Sequence, residues 1–319
     1  MKKIRNTTPM KLSIVSTLYR SAANISEFHE RASKAASELV GQDYEIVLVN
    51  DGSPDNSLEL AIEIADKDDH VLIVDLSRNF GHHQAMMAGL AHSRGEHVFL
   101  IDSDLEEDPA WLDAFAQQMT EKNCDVVYGV QRRRKGGWFE RWSGNLYYRI
   151  FKLLVDIDHP TNITTVRLMT RRYVDALLTH KERAIVISGL WVLTGFDQSP
   201  QLVTKKSSSP TTYSLLHKLS HAVNVITSFS SRPLIFIFFT GVIIFLLSMA
   251  YVAFIVLNRV LFMTPLEGWS SVMASIWLLG GIIISFIGII GIYLSKIFIE
   301  TKERPNVIIR GLYGKYGRN

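Results

Sequence analysis

Two stretches near the C-terminal end constrain this chain more than any other feature. Leu234 to Leu257 runs for 24 residues without a charged side chain, and Gly268 to Ser295 runs for 28. A helix rises 1.5 Å per residue, so the first run makes a rod of about 36 Å, against a bilayer hydrocarbon core of about 30 Å. Helices packed in the core of a soluble protein are rarely apolar all round over such a length. The runs predict two transmembrane helices, at about 234–257 and 272–295. Neither holds an acid or base, which argues against an ion path or transport pore.

The flanking charges set an orientation. Lys205, Lys206, Lys218 and Arg232 precede the first span, and Lys296, Lys302 and Arg304 follow the second. The connection, Asn258 to Glu267, holds only Arg259 and Glu267. The positive-inside rule then puts both termini in the cytoplasm. Met1 to Thr8 is basic with no long apolar stretch behind it, so no signal peptide is expected. The expected organisation is a cytoplasmic domain over residues 1–230, then 231–319 with the two spans and a short cytoplasmic tail, in the inner (plasma) membrane. Two spans are compatible with a homo-oligomer.

Composition excludes several classes. The chain has 319 residues, with 34 Lys+Arg against 31 Asp+Glu, and a net charge of +3 gives no argument for a nucleic-acid partner. The single Cys124 excludes an internal disulfide and any cysteine-built zinc site, and reads as a core residue. His82-His83 is read as a wall beside Gly81 rather than a metal pair, because adjacent residues rarely ligate one ion. His217 and His221 lack the glutamate of a zinc-protease motif, since Lys218 stands there.

The first half alternates two patterns. Leu12–Leu18, Tyr44–Val49, Val71–Leu76, His97–Ile101 and Asp125–Val130 are short, β-branched and apolar on both faces, as in a covered parallel sheet. Helix signals lie between them: Asn24 with Glu27 as a capping box, then Ser53-Pro54 and Asp108-Pro109 as caps followed by proline. Strands alternating with helices predict an α/β sheet, whose ligands bind beyond the carboxyl ends of the strands.

The chemistry-bearing residues stand at those ends. Asn50-Asp51-Gly52-Ser53 follows the second strand, Ser77-Arg78-Asn79-Phe80-Gly81 the third, and Asp102-Ser103-Asp104-Leu105-Glu106 the fourth. In an extended segment Asp102, Asp104 and Glu106 would point one way. A hard divalent cation, Mg²⁺ or Mn²⁺, would relieve their repulsion and keep positions open for phosphate oxygens. No P-loop and no dinucleotide fingerprint is present, which leaves a sheet that binds a metal–diphosphate through side chains. Arg132-Arg133-Arg134-Lys135 follows the fifth strand, with Arg132 nearest the site. Trp138 to Val155 then carries aromatics on one face and bases on the other, as in a helix lying in a lipid headgroup layer.

These pieces together resemble the inverting family-2 glycosyltransferases of GT-A fold. The closer resemblance is to the polyprenyl-phosphate glycosyltransferases, the group of dolichol-phosphate mannose synthase and the bacterial undecaprenyl-phosphate sugar transferases. It rests on Ser13–Tyr19, Val49–Ser53, Leu76–Gly81, Asp102–Pro109, Val127–Gly129, Arg167–Met169, Ile226–Ser230 before Arg232-Pro233, and Glu303-Arg304-Pro305. The fold it implies is α/β: a GT-A-type nucleotide-sugar-binding sheet domain followed by a two-helix transmembrane hairpin.

The resemblance also implies roles. Thr17, Leu18 and Tyr19 would line the base and ribose pocket, and Asp51 would contact the nucleoside. Ser53, Arg78, Gly81, Asp102 and Ser103 complete the expected nucleotide-sugar set. Asp102, Asp104 and Glu106 would hold Mg²⁺ or Mn²⁺, and Asp104, Asp102 and Arg167 form the expected catalytic set. Arg132, Arg141, Arg167 and Lys206 are the candidates for the acceptor phosphate. The expected reaction is transfer of one sugar, with inversion, from a nucleotide-diphosphate sugar (a UDP-sugar) to polyprenyl phosphate at the cytoplasmic membrane face. Its product would serve cell-surface polysaccharide or glycolipid modification. Two alternatives stand beside it: another lipid or polysaccharide acceptor, and an inactive membrane scaffold.

The chain departs from the family at three places. Arg20-Ser21 replaces a usual Asn-Glu, and Thr164-Thr165-Val166 stands before Arg167 where relatives place a proposed catalytic Asp. Lys206, Ser209 and Thr211-Thr212-Tyr213 replace a basic residue, glycine and Ser-Lys-Tyr.

Overall fold

Leu12–Leu18 (β1) is buried along its whole length, as are Tyr44–Asn50 (β2) and Val71–Leu76 (β3). A strand with both faces covered needs neighbours on both edges and helices above and below. The computed structural model supplies them, and describes residues 11–131, 162–183, 186–205, 230–262 and 268–314. Two units divide these residues, a sheet unit and a helical unit.

In the sheet unit β1 pairs in parallel with β2 and with His97–Leu100 (β4), and β2 in parallel with β3. The crossovers are Ile25–Val40 (α1), Ser57–Lys67 (α2) and His82–His92 (α3), and Trp111–Lys122 (α4) leads on to Val126–Gln131 (β5). α3 lies close against the sheet because residue 89 is glycine. A Cβ there would stand 2.5 Å from a Val15 methyl and 2.9 Å from a Val49 methyl.

The fully parallel sheet read from the sequence becomes a mixed one. Ile163–Thr170 (β6) inserts antiparallel between β4 and β5. After Arg171–Leu177 (α5) and Ile187–Leu193 (α6), Gln198–Val203 (β7) adds in parallel to β5 at one edge. At the other edge Ile309–Tyr313 (β8) lies antiparallel to β3. The eight strands run in the order β7-β5-β6-β4-β1-β2-β3-β8. The Arg310 guanidinium secures β8, at 2.7 and 3.1 Å from the carboxylate of the wholly buried Asp75, which also accepts from the Asn50 amide at 2.8 Å.

α1 starts directly after Asn24, as the sequence reading has it, and the starts of α2 and α4 differ. α1, α2 and α4 begin at Ile25, Ser57 and Trp111, and no side chain caps any of them. The expected caps are engaged elsewhere. Asn24 donates to the Asp104 carbonyl at 3.3 Å, Glu27 pairs with Arg31, and Ser53 joins a hydroxyl cluster described below.

The helical unit contains Arg232–Phe262 (α7) and Trp269–Thr301 (α8). The Tyr293 hydroxyl donates to the Ser230 carbonyl at 2.6 Å. Both helices are long and apolar enough to cross a membrane. Their large side chains face outward, with Phe236 68% and Ile284 72% exposed.

Candidate active site

The loops at the carboxyl ends of β1–β4 meet through side chains fixed by the sheet register. Thr17 and Leu18 close β1, opposite Val49 and Asn50 of β2. Leu18 is wholly buried and contributes its carbonyl, which accepts the Asp51 N–H at 3.0 Å, while Tyr19 is 48% exposed. Asp51 is buried, and its two oxygens accept the backbone N–H groups of Phe80 and Gly81. Burial raises its pKa, partly offset by those two donors. Asp51 thus fixes the Arg78–Gly81 loop against β2. Gly52 has a positive φ of +59°, and a Cβ there would collide with the backbone of Arg78 and Asn79. Arg78 extends from this loop, its guanidinium 4.1 Å over the Phe80 ring.

A hydroxyl cluster joins the first loop to the second and fourth. Ser103 Oγ donates to the Thr17 carbonyl at 2.8 Å and lies 3.1 Å from Ser21 Oγ. Ser53 Oγ accepts the Arg20 N–H at 2.7 Å and donates to Asp55 at 2.5 Å; Ser57 Oγ donates to the same carboxylate at 2.6 Å. Burial of Asp55 opposes its charge, but the Ser53 and Ser57 hydroxyls and the Ala22 and Ser57 N–H groups outweigh it and hold the carboxyl down to about 2. Ser21, at the position of the family's glutamate, is part of this cluster.

The acidic loop is a turn rather than the extended segment expected. Asp104 Oδ1 accepts the Glu106 N–H at 3.0 Å and Leu105 takes a positive φ of 63°. Asp102 is half-buried and Asp104 exposed. Among the described residues no three His, Cys, Asp or Glu side chains form a metal-holding group. Mg²⁺ needs only one or two carboxylates when phosphate oxygens complete its shell. Asp102 Oδ1 suits that use: it is a buried oxygen without a hydrogen bond, faced by His82 Nε2 at 3.4 Å. Burial opposes the Asp102 charge, but His82 and Lys205 outweigh it and keep its pKa low. Asp104 moves the other way, raised by burial and by the charges of Asp102 and Glu106.

Three side chains that the sequence reading left out of its site set belong here. His82 Nδ1 lies 3.1 Å from Thr17 Oγ1, so its ring bridges the end of β1 and Asp102. Glu107 is wholly buried, and its Oε1 takes the Lys205 ammonium at 2.9 Å and the Thr165 N–H at 3.2 Å. Burial and the charge of Asp102 push the Glu107 carboxyl up to about 7. In the sequence Lys205 stands out only as a charge ahead of the first span. Glu107 falls outside the alternation of carboxylates at 102, 104 and 106, and the turn sends it inward.

Arg167, expected in the catalytic and acceptor-phosphate sets, is instead buried inside the sheet unit at 1% exposure, on β6 opposite Leu100 and Tyr128, with its guanidinium carbon 2.9 Å from the Trp191 ring centroid. Burial lowers its pKa to about 9. Arg132, Arg141 and Lys206, with the helix expected over Trp138 to Val155, lie outside the described residues.

The mixed sheet and its crossover helices define a GT-A-like α/β domain. The chain belongs to glycosyl transferase family 2, whose model matches residues 13–178, more than half of it. A protein of Mycobacterium tuberculosis (strain CDC 1551 / Oshkosh) described as "Putative glycosyltransferases" is 48% identical over 305 residues, covering 96% of this chain and 89% of the relative. An uncharacterised glycosyltransferase of Bacillus subtilis (strain 168) is 33% identical, covering 96% and 95%. The bactoprenol glucosyl transferase of Shigella phage SfX is 29% identical, covering 94% and 99%.

Proposed function

We propose that this protein transfers one sugar from a nucleotide-diphosphate sugar, a UDP-sugar, to polyprenyl phosphate at the cytoplasmic face of the inner membrane. The observation that carries the reading is the buried Asp102 Oδ1, which makes no hydrogen bond and has only the His82 ring at 3.4 Å, beside the Thr17–His82 contact at the loops where an α/β sheet takes its ligand. Two helices of membrane-spanning length in the same chain, and likeness over nearly the whole length to a bactoprenol glucosyl transferase, support a lipid acceptor.

Asp102 and Asp104 would hold Mg²⁺ or Mn²⁺, with Glu106 nearby. The ion would stabilise negative charge developing on the leaving diphosphate. Thr17 and Tyr19 receive the nucleoside, and Asp51 and Ser53 keep the surrounding loops in place. Arg78 supplies a cation at the rim. A lipid phosphate is already ionised at neutral pH, so the acceptor needs orientation more than a base. That suits Thr165 in place of the family's Asp. The acceptor oxygen attacks the anomeric carbon as the bond to the diphosphate breaks on the opposite face, which inverts configuration. Arg132, Arg141 and Lys206 are the proposed phosphate ligands. Arg167, stacked under Trp191, supports the strand behind the acidic loop.

The test is to incubate purified full-length protein with undecaprenyl phosphate, Mg²⁺ or Mn²⁺ and a panel of UDP- and GDP-sugars, with mass spectrometry of the lipid. The reading expects one lipid-phosphate-sugar, absent without metal and with Asp104→Asn. Donor binding with no lipid product would move the activity to another acceptor. Neither binding nor product would favour a scaffold. Retention of configuration in the product would contradict inversion.

A further inference from the structure

Thr17, His82, Asp102 and Ser103 close a ring of contacts at the end of β1. Thr17 Oγ1 lies 3.1 Å from His82 Nδ1, and His82 Nε2 lies 3.4 Å from Asp102 Oδ1. Ser103, next in the chain to Asp102, completes the ring by donating from Oγ to the Thr17 carbonyl at 2.8 Å. The His82 backbone has little freedom within it. His82 opens α3 directly after Gly81, whose N–H the Asp51 carboxylate accepts, and α3 is seated closely on β1 and β2 at Gly89. Asp102 Oδ1 is buried and makes no hydrogen bond among the described residues.

These contacts decide where the imidazole hydrogen sits. A carboxylate oxygen only accepts, so the nitrogen that faces Asp102 must carry the hydrogen. In the neutral ring Nδ1 is then an acceptor, and the Thr17 hydroxyl is its donor. At 3.4 Å, Nε2 and Oδ1 stand a little further apart than the about 2.7–3.2 Å of a formed N–H···O bond. Hydrogen bonds at reacting sites often tighten only when the site is loaded.

We propose that His82 is a positioning residue: Thr17 holds its tautomer, and its Nε2–H orients the Asp102 carboxylate for the divalent ion. The proposal rests on the metal reading given under Proposed function. Oδ1 has two lone pairs, so it can accept Nε2–H on one and bind the ion with the other. A donor to a metal-binding carboxylate fixes the direction of its lone pairs, and metal affinity depends on it.

The ring makes a distinction that a merely structural histidine would not. A glutamine amide nitrogen reaches the place of Nε2, and an asparagine amide nitrogen reaches that of Nδ1. His82→Gln therefore keeps the contact to Asp102, whereas His82→Asn keeps only the contact to Thr17. A residue needed for packing alone would separate the two by stability and not by metal affinity. The His82 side chain is 47% exposed, so its replacement should leave the fold intact. Thr17→Val keeps the shape of the threonine and removes its hydroxyl.

The experiment is a titration of full-length protein in detergent with Mn²⁺, reading free Mn²⁺ by electron paramagnetic resonance. Thermal unfolding of each variant accompanies it, and Asp102→Asn marks the site. Expected is Mn²⁺ affinity at least about tenfold weaker in His82→Ala and His82→Asn, with partial recovery in His82→Gln and a smaller loss in Thr17→Val. Wild-type affinity in His82→Ala, or no better binding in His82→Gln than in His82→Asn, overturns the proposal and leaves the transferase reading intact. If the His82 variants do not fold, Thr17→Val decides: weaker binding supports the proposal and wild-type affinity overturns it. No site in the wild type that Asp102→Asn removes overturns the metal reading and this proposal together.

Discussion

The Asp51 carboxylate accepts the backbone N–H of Phe80 at 2.7 Å, and its second oxygen accepts that of Gly81 at 3.1 Å. One acid at the end of β2 therefore shapes the loop at the end of β3. Asp51→Ala leaves both amides without this acceptor and is expected to cost about 1–3 kcal/mol, with Asp51→Asn intermediate. Thermal unfolding measures that cost. The donor KM should rise in the same order, because the loop carrying Arg78 loses its anchor.

Gly89 tests how closely α3 must approach β1 and β2. A valine there must displace Val15 and Val49 and is expected to destabilise the fold by about 1–3 kcal/mol. Denaturant unfolding checks it. Stability equal to wild type would mean that the helix has room to move outward.

Arg310 and Asp75 hold the last strand to the sheet. Arg310→Ala leaves a wholly buried carboxylate with the Asn50 amide as its remaining side-chain partner. The melting temperature should fall, and β8 amides should exchange hydrogen faster. Asp75→Asn in the same chain should recover part of the loss, because the uncompensated charge disappears with it.

The acid limb of stability has a named contributor. Burial opposes the charge of Asp68, but the His70 N–H and the His29 and His70 rings outweigh it and lower its pKa from 3.8. The ring contacts measure 2.8 and 2.7 Å. A carboxyl depressed in the folded state stabilises it above the unfolded pKa, and that contribution is lost as pH falls through the folded value. Asp68→Asn should lower the melting temperature at pH 7 and flatten its decline below about pH 4. An unchanged decline would assign acid lability to other groups.

Much of this was legible in the sequence, for reasons that can be located. The buried parallel strands announce themselves because both faces must be apolar, and β1–β5 fall within a residue of their expected bounds. Asp51 and Asp102 follow from them, since ligand loops stand at strand ends. What escaped depends on partners distant in the chain. β6 and β8 are antiparallel additions with no repeating signal. Asn24 holds the cap position of α1 without a side-chain cap bond, and the helices expected at Ser53 and Asp108 start further on. The Glu107–Lys205 pair joins a turn to the end of β7, and no local pattern predicts that meeting.

The proposed transfer makes one new bond, between a lipid phosphate and an anomeric carbon. Phosphorus NMR of full-length protein with undecaprenyl phosphate, Mg²⁺ and the preferred UDP-sugar observes it directly. The account predicts that the lipid phosphomonoester signal converts to a phosphodiester as UDP appears in equal amount, and that Asp104→Asn does neither. An unchanged phosphomonoester while UDP accumulates would contradict it.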